Sequence, residues 1–242
     1  MFMREPKVGF LAEEAPAAGS GSGWLARWYG RLRGIVLRSQ EPASRSYRYM
    51  SRLIEREFPV GESGVCLAFS SSDSDQMTRD ALLMLAYCLR NELDSRVLVI
   101  DARFKDPEAG LTGRLGLLDA PGFVEILREG FAGNEALVRP TAIAGVDVLP
   151  AGGAKGGGSI PVDRDKLRGL LDAAMARYDH VLLGVGSVLN DTRHVLTVAE
   201  ADVVFLLARE NQTFMKSLDD CRQLLQSNGV ADVRVLVTAG KP

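Results

Sequence analysis

The sequence predicts an α/β fold: a doubly wound, mainly parallel sheet with helices on both faces. Three observations carry this. Six short apolar runs recur along the chain: 65–69, 96–101, 146–151, 180–185, 202–208 and 232–239. They are near-continuously apolar rather than alternating, as strands covered on both faces are. Helical runs lie between most of them, at 77–93, 121–130, 163–177, 191–199 and 213–227, and a βαβα alternation implies right-handed crossovers. At 242 residues, 46% hydrophobic and 25% charged, the chain has room for one large domain, or one domain and a tail.

Taken in order, residues 1–40 read as a flexible tail and 41–242 as the domain. Residues 1–23 are rich in Ala, Gly and Ser and end in GSGSG, too little apolar surface to offset ordering entropy. Residues 24–38 differ. Trp24, Leu25, Trp28, Tyr29, Leu32, Ile35 and Val36 share one helical arc, with Arg27, Arg31 and Arg38 opposite and no acid between. The pattern fits a contact with an anionic membrane surface or with a partner protein, through Trp24, Arg27, Trp28, Arg31 and Arg38. It equally fits a helix packing on its own domain, and Gly30 and Gly34 weaken it. Residues 41–58 form a further helix, and AGGAKGGGS (151–159) reads as a flexible loop at a strand's carboxyl end, where such folds place their sites.

Composition excludes several functions. Twenty-nine basic and 31 acidic side chains give a net charge of −2, so no nucleic-acid partner is expected. No stretch approaches the ~18 apolar residues of a membrane span, and the N-terminus lacks signal-peptide character. Cys66, Cys88 and Cys221 sit in apolar runs without metal-type spacing and read as reduced core thiols of a cytosolic protein. His180 and His194 read as packing or surface residues, since no Ser/His/Asp spacing accompanies them.

The first core strand leads through a turn into a helix. Nucleotide-binding proteins place glycines there, whose N–H groups cradle phosphates, and a lysine that reaches the terminal phosphates. Here the turn reads Ser70, Ser71, Ser72, Asp73, Ser74, Asp75, Gln76, Met77, Thr78. The later segments VLVIDARFKDP (97–107) and YDHVLLGVGS (178–187) also end strands.

Over about residues 45–239 these features resemble the cytoplasmic kinase domain of the bacterial tyrosine kinases, within the MinD/ParA-like deviant-Walker P-loop NTPases. The resemblance implies a P-loop NTPase-like fold. The family's loop reads S-A-x-P-G-E-G-K-S/T. Laid on it, both glycines are lost at Ser74 and Gln76, the lysine is Met77, and only the Thr78 hydroxyl, a metal ligand in the family, survives. In the second motif Asp101 matches the first aspartate while Arg103 replaces the second. In the third, Tyr178 and Asp179 match but the metal-side aspartate is Gly184. Tyr47 and Arg48 match the family's oligomerisation helix, with Arg45 in place of its glutamate, and no tyrosine follows Tyr178 to supply the family's tyrosine-rich tail.

These losses bear on affinity. A β-carbon at a glycine position blocks close phosphate approach. Asp73 and Asp75 put like charge where a polyanion would sit, costing on the order of 1–4 kcal/mol per contact near 4 Å. The expectation is a degenerate, pseudokinase-like domain with no catalytic residue and no resident metal, ATP and magnesium binding being lost or weak. Thr78 and Asp101 are the residues left to hold a cofactor. The competing reading has Thr78 capping or starting a helix, and Asp101 closing a strand and pairing with Arg103. Arg79, Arg103, Lys105 and Arg114 could form a basic rim. The resemblance further implies a cytoplasmic component, peripheral to the inner membrane, of a capsule, exopolysaccharide or holdfast-type system. Its partner would be a Wzc/Wzz-like membrane polysaccharide co-polymerase, with homo-oligomers possible. A weakly active tyrosine kinase and a MinD/ParA-like positioning ATPase are the alternatives.

Overall fold

A computed structural model describes residues 42–72, 75–153 and 160–238. The expected tail, the contact residues Trp24, Arg27, Trp28, Arg31 and Arg38, the turn residues Asp73 and Ser74, and most of the 151–159 loop lie outside these described residues.

The chain enters on helix α1 (Pro42–Glu57), crosses to strand β1 (Val65–Ser71), and returns through α2 (Asp75–Leu93) to β2 (Val97–Asp101). Two short helices follow, α3 (Leu111–Leu115) and α4 (Phe123–Glu129), then the strand pair β3 (Arg139–Pro140) and β4 (Val146–Leu149). The remaining elements alternate: α5 (Arg164–Met175), β5 (His180–Gly184), α6 (Thr192–Val198), β6 (Val203–Arg209), α7 (Met215–Ser227) and β7 (Val233–Thr238). The sheet order is β3-β4-β2-β5-β1-β6-β7, parallel throughout except for β3.

The six expected strands and the helices between them are present, with ends shifted by at most two residues. The α3 turn and β3 were not read from the sequence, because five-residue and two-residue elements carry too little periodicity. The sheet is buried on both faces, and two apolar clusters result. One lies under α4 to α7 around Phe123, Leu167, Val181, Leu206 and Cys221. The other lies under α1 and α2 around Leu67, Phe69, Leu82, Leu182 and Phe205. Phe69 stacks on Phe205 at 5.2 Å, and Phe58 meets Phe205 edge-on at 6.4 Å, joining the end of α1 to the sheet.

The three cysteines are buried and unbridged, and burial pushes the Cys66 thiol well up and the Cys88 thiol up to about 11. Among the described residues no helix is long and apolar enough to cross a membrane, and no group of three or more His, Cys, Asp or Glu side chains gathers as a metal cluster.

Candidate functional site: the β1–α2 turn and the adjoining strand ends

The carboxyl ends of β1, β2 and β5 meet where a phosphate loop would sit. The β1 end is tied down. Ser70 Oγ donates to Gly186 O at 3.0 Å, and Val185 N donates to Phe69 O at 3.0 Å. The ring Nδ1 of His194 lies 3.0 Å from Ser187 O, which extends the same contact into α6. These bonds fasten the start of the turn to the 184–187 segment.

The lysine position does not face a ligand. Met77 is 4% exposed and belongs to the apolar cluster under α1 and α2. Gln76, at the second lost glycine, is exposed. Thr78 lies in the first turn of α2, inside the helix, and neither caps nor starts it, which corrects the reading from sequence. Its hydroxyl is buried and makes no hydrogen bond.

Asp101 ends β2 at 2% exposure. Its Oδ2 accepts from Thr112 N and from Thr112 Oγ1, both at 2.7 Å, and Thr112 Oγ1 accepts in turn from Ala151 N at 2.7 Å. The carboxylate therefore anchors α3 and, through Thr112, the exit of β4. The sequence suggested Arg103 as its partner; Thr112 supplies its side-chain hydrogen bond, and the Arg103 guanidinium adds a nearby positive charge. Burial pushes the Asp101 carboxyl up, opposed by the Thr112 bonds and the Arg103 guanidinium. The packing is close: a β-carbon on Gly110 would fall 2.6 Å from Arg103 Cδ and 2.8 Å from Asp101 Oδ2.

At the third acid's place, a β-carbon on Gly184 would lie 2.3 Å from Leu82 Cδ1, the tip of an α2 side chain, with Leu82 Cγ and Ile100 O next at 3.5 and 3.6 Å. The matched residues beside it are structural. Tyr178 Oη donates to Asp147 Oδ2 at 2.7 Å, and Asp179 Oδ2 accepts from Arg96 N at 2.6 Å, which pins the β5 start to β2 and β4.

The expected basic rim is largely committed. Arg79 pairs with Asp80 at 3.1 Å and Lys105 reaches Asp191 at 3.7 Å. Asp191 caps α6 and is gripped by Arg193, which holds its carboxyl down to about 2. Arg193 also lies over the Phe104 ring at 4.4 Å. Phe104 and Arg193 line an open cleft of about 1250 Å³ between the β2, β4 and β5 ends, which sequence reasoning did not single out. The described residues here thus offer one buried hydroxyl without a hydrogen bond, one carboxylate satisfied by Thr112 and one core methionine.

No family model matches the chain. A stretch of 138 residues, 57% of the chain, is 29% identical to the tyrosine-protein kinase ptk of Acinetobacter johnsonii, and spans 18% of that relative's length. Among solved structures, the BceF tyrosine kinase domain superposes with a TM-score of 0.67, covering 85% of this chain and 82% of its own at 22% identity. The chain has the bacterial tyrosine-kinase fold. The MinD cell division protein of Aquifex aeolicus follows at a TM-score of 0.55 and 20% identity, covering 74% of this chain and 70% of its own. The likeness to these solved structures is one of fold.

Proposed function

We propose that this domain is a catalytically inactive relative of the bacterial tyrosine kinases. It serves as a cytoplasmic interaction module for a membrane polysaccharide co-polymerase in a capsule, exopolysaccharide or holdfast-type export system. The observation that carries the reading is packing: Met77, at the position matched to the family's lysine, is buried in the apolar core. A fold kept while its pocket is filled is useful for its surface. Residues 24–38 bring the module to the membrane or to the co-polymerase. Co-purification of the full chain with a membrane polysaccharide co-polymerase of the same organism tests this. The complex is expected to form without nucleotide and to weaken when 24–38 are deleted. Absence of any complex rejects the reading.

One observation favours a second reading, in which a weakly active tyrosine kinase or a MinD/ParA-like positioning ATPase retains nucleotide. The buried Thr78 hydroxyl has no hydrogen-bond partner, and a magnesium ion would supply one. Autophosphorylation or ATP hydrolysis that is lost in Thr78→Ala would establish it.

A further inference from the structure

Charge is distributed unevenly along the chain. Residues 24–57 hold eight arginines and three acids, within a chain whose net charge is −2. The described part of that stretch is α1, which carries no acid before Glu55.

Helix α1 packs by one face. Ser51 and Ile54 are buried there, and Tyr47 packs against the cluster beneath. On a helical projection the opposite crest carries Tyr49, with Arg45, Arg52 and Arg56 within about 60° of it. Glu55 and Glu57 fall on the flanks of the helix instead. Tyr49 is 67% exposed, and the three arginines beside it are exposed as well. Arg52 reaches Glu55 at 3.3 Å and Glu92 at 3.8 Å, and Arg56 pairs with Glu57 at 2.8 Å, yet the two arginine side chains stay 55% and 70% exposed. Exposed pairs of this kind contribute little, so both guanidinia stay open to other anions.

We infer that the crest of α1 is a membrane contact, in which Arg45, Arg52 and Arg56 meet anionic lipid headgroups and the Tyr49 ring enters the interfacial layer. The inference rests on the membrane side of the proposed function and adds a second surface to it. Charge complementarity sets the partner's sign: the crest presents three guanidinia and no carboxylate. A bilayer suits it better than a nucleic acid because an aromatic ring stands among the cations, and amphipathic rings settle at the headgroup level. The sequence before α1 has the same character, with Trp24, Arg27, Trp28 and Arg31 and no acid from Trp24 to Arg38. Two basic contacts on one chain reinforce each other where either alone binds reversibly. With α1 against the bilayer, α4 to α7 lie on the far side of the sheet, turned toward a protein partner.

Co-sedimentation of the full chain with vesicles tests the crest. Vesicles of phosphatidylcholine and phosphatidylglycerol in equal parts are compared with phosphatidylcholine alone. The wild-type chain is expected to pellet with the anionic vesicles only. Arg45→Gln/Arg52→Gln/Arg56→Gln, made together in the full chain with residues 24–38 intact, is expected to weaken that binding at least about tenfold. Tyr49→Gln is expected to weaken it in the same direction. All four side chains are exposed, so the variants are expected to keep the wild-type circular dichroism and melting midpoint. Lys216→Gln/Arg222→Gln, on the exposed face of α7, is the control and is expected to bind like the wild type. A wild-type chain that ignores anionic vesicles overturns the inference. So does a folded triple variant that binds like the wild type, or an equal loss in the α7 control. The assay contains no co-polymerase, so a negative result here leaves the co-polymerase reading to its own test.

Discussion

Leu82 Cδ1, at the tip of its side chain, lies 2.3 Å from the position that a β-carbon on Gly184 would take. Gly184 is the last residue of β5 and Leu82 lies in the second turn of α2, so the helix rests directly on the strand end. A nucleotide site needs that space for an acid and its ligand.

Gly184→Asp is therefore expected to destabilise the fold rather than restore a site. Overpacking of a tight core costs about 1–3 kcal/mol, and a buried carboxylate without a partner adds to it. Urea denaturation measures the loss. Adding Leu82→Ala is expected to recover part of the steric cost, and a Gly184→Asp variant as stable as the wild type would refute the packing argument.

Met77→Lys tests the other filled position. The side chain would carry an ammonium into the cluster of Ala81, Leu111 and Leu115. A loss of about 2–4 kcal/mol is expected, because a buried unpaired charge is among the costliest single changes. If the lysine instead turned outward, stability would be unchanged and Mg-ATP affinity would rise, contrary to this reading.

Asp101 is expected to behave as an anchor. Asp101→Ala leaves Thr112 N and Oγ1 without their acceptor in a buried site, at a cost of about 1–3 kcal/mol. Asp101→Asn keeps one acceptor oxygen and loses less, in line with a carboxyl that burial already pushes toward the neutral form. Thermal melts of the two variants rank them, and equal losses would contradict an anchoring role through Thr112.

His180 gives the fold an acid sensitivity. It opens the central strand β5, between Val65 and Val97, at 2% exposure, with neither ring nitrogen hydrogen-bonded. Burial holds its pKa below the ordinary 6.5, with Asp179 and Glu55 opposing. Because the folded value is the lower one, this stability is present above about pH 6.5 and is lost as pH falls toward the folded value. Chemical denaturation at pH 7.5 and pH 5 is expected to show a smaller difference in His180→Leu than in the wild type. An unchanged difference would assign the acid sensitivity to other groups.

Much of the fold was legible in the sequence because buried parallel strands announce themselves as apolar runs. The α3 turn was not, since what holds it is a contact eleven residues back in the chain, from Thr112 to Asp101. The departures at Met77 and Gly184 were legible as missing chemistry. That Met77 joins the core and that Leu82 approaches Gly184 was not, because neither carries a local signal of what it packs against. Asp101 shows the same limit: its position at a strand end is plain, while its partner depends on how the following loop folds back.

The most direct measurement is calorimetric titration of the full chain with Mg-ATP. No binding heat is expected at concentrations that saturate an active kinase domain. Micromolar binding that disappears in Thr78→Ala would contradict the claim that packing has closed this site.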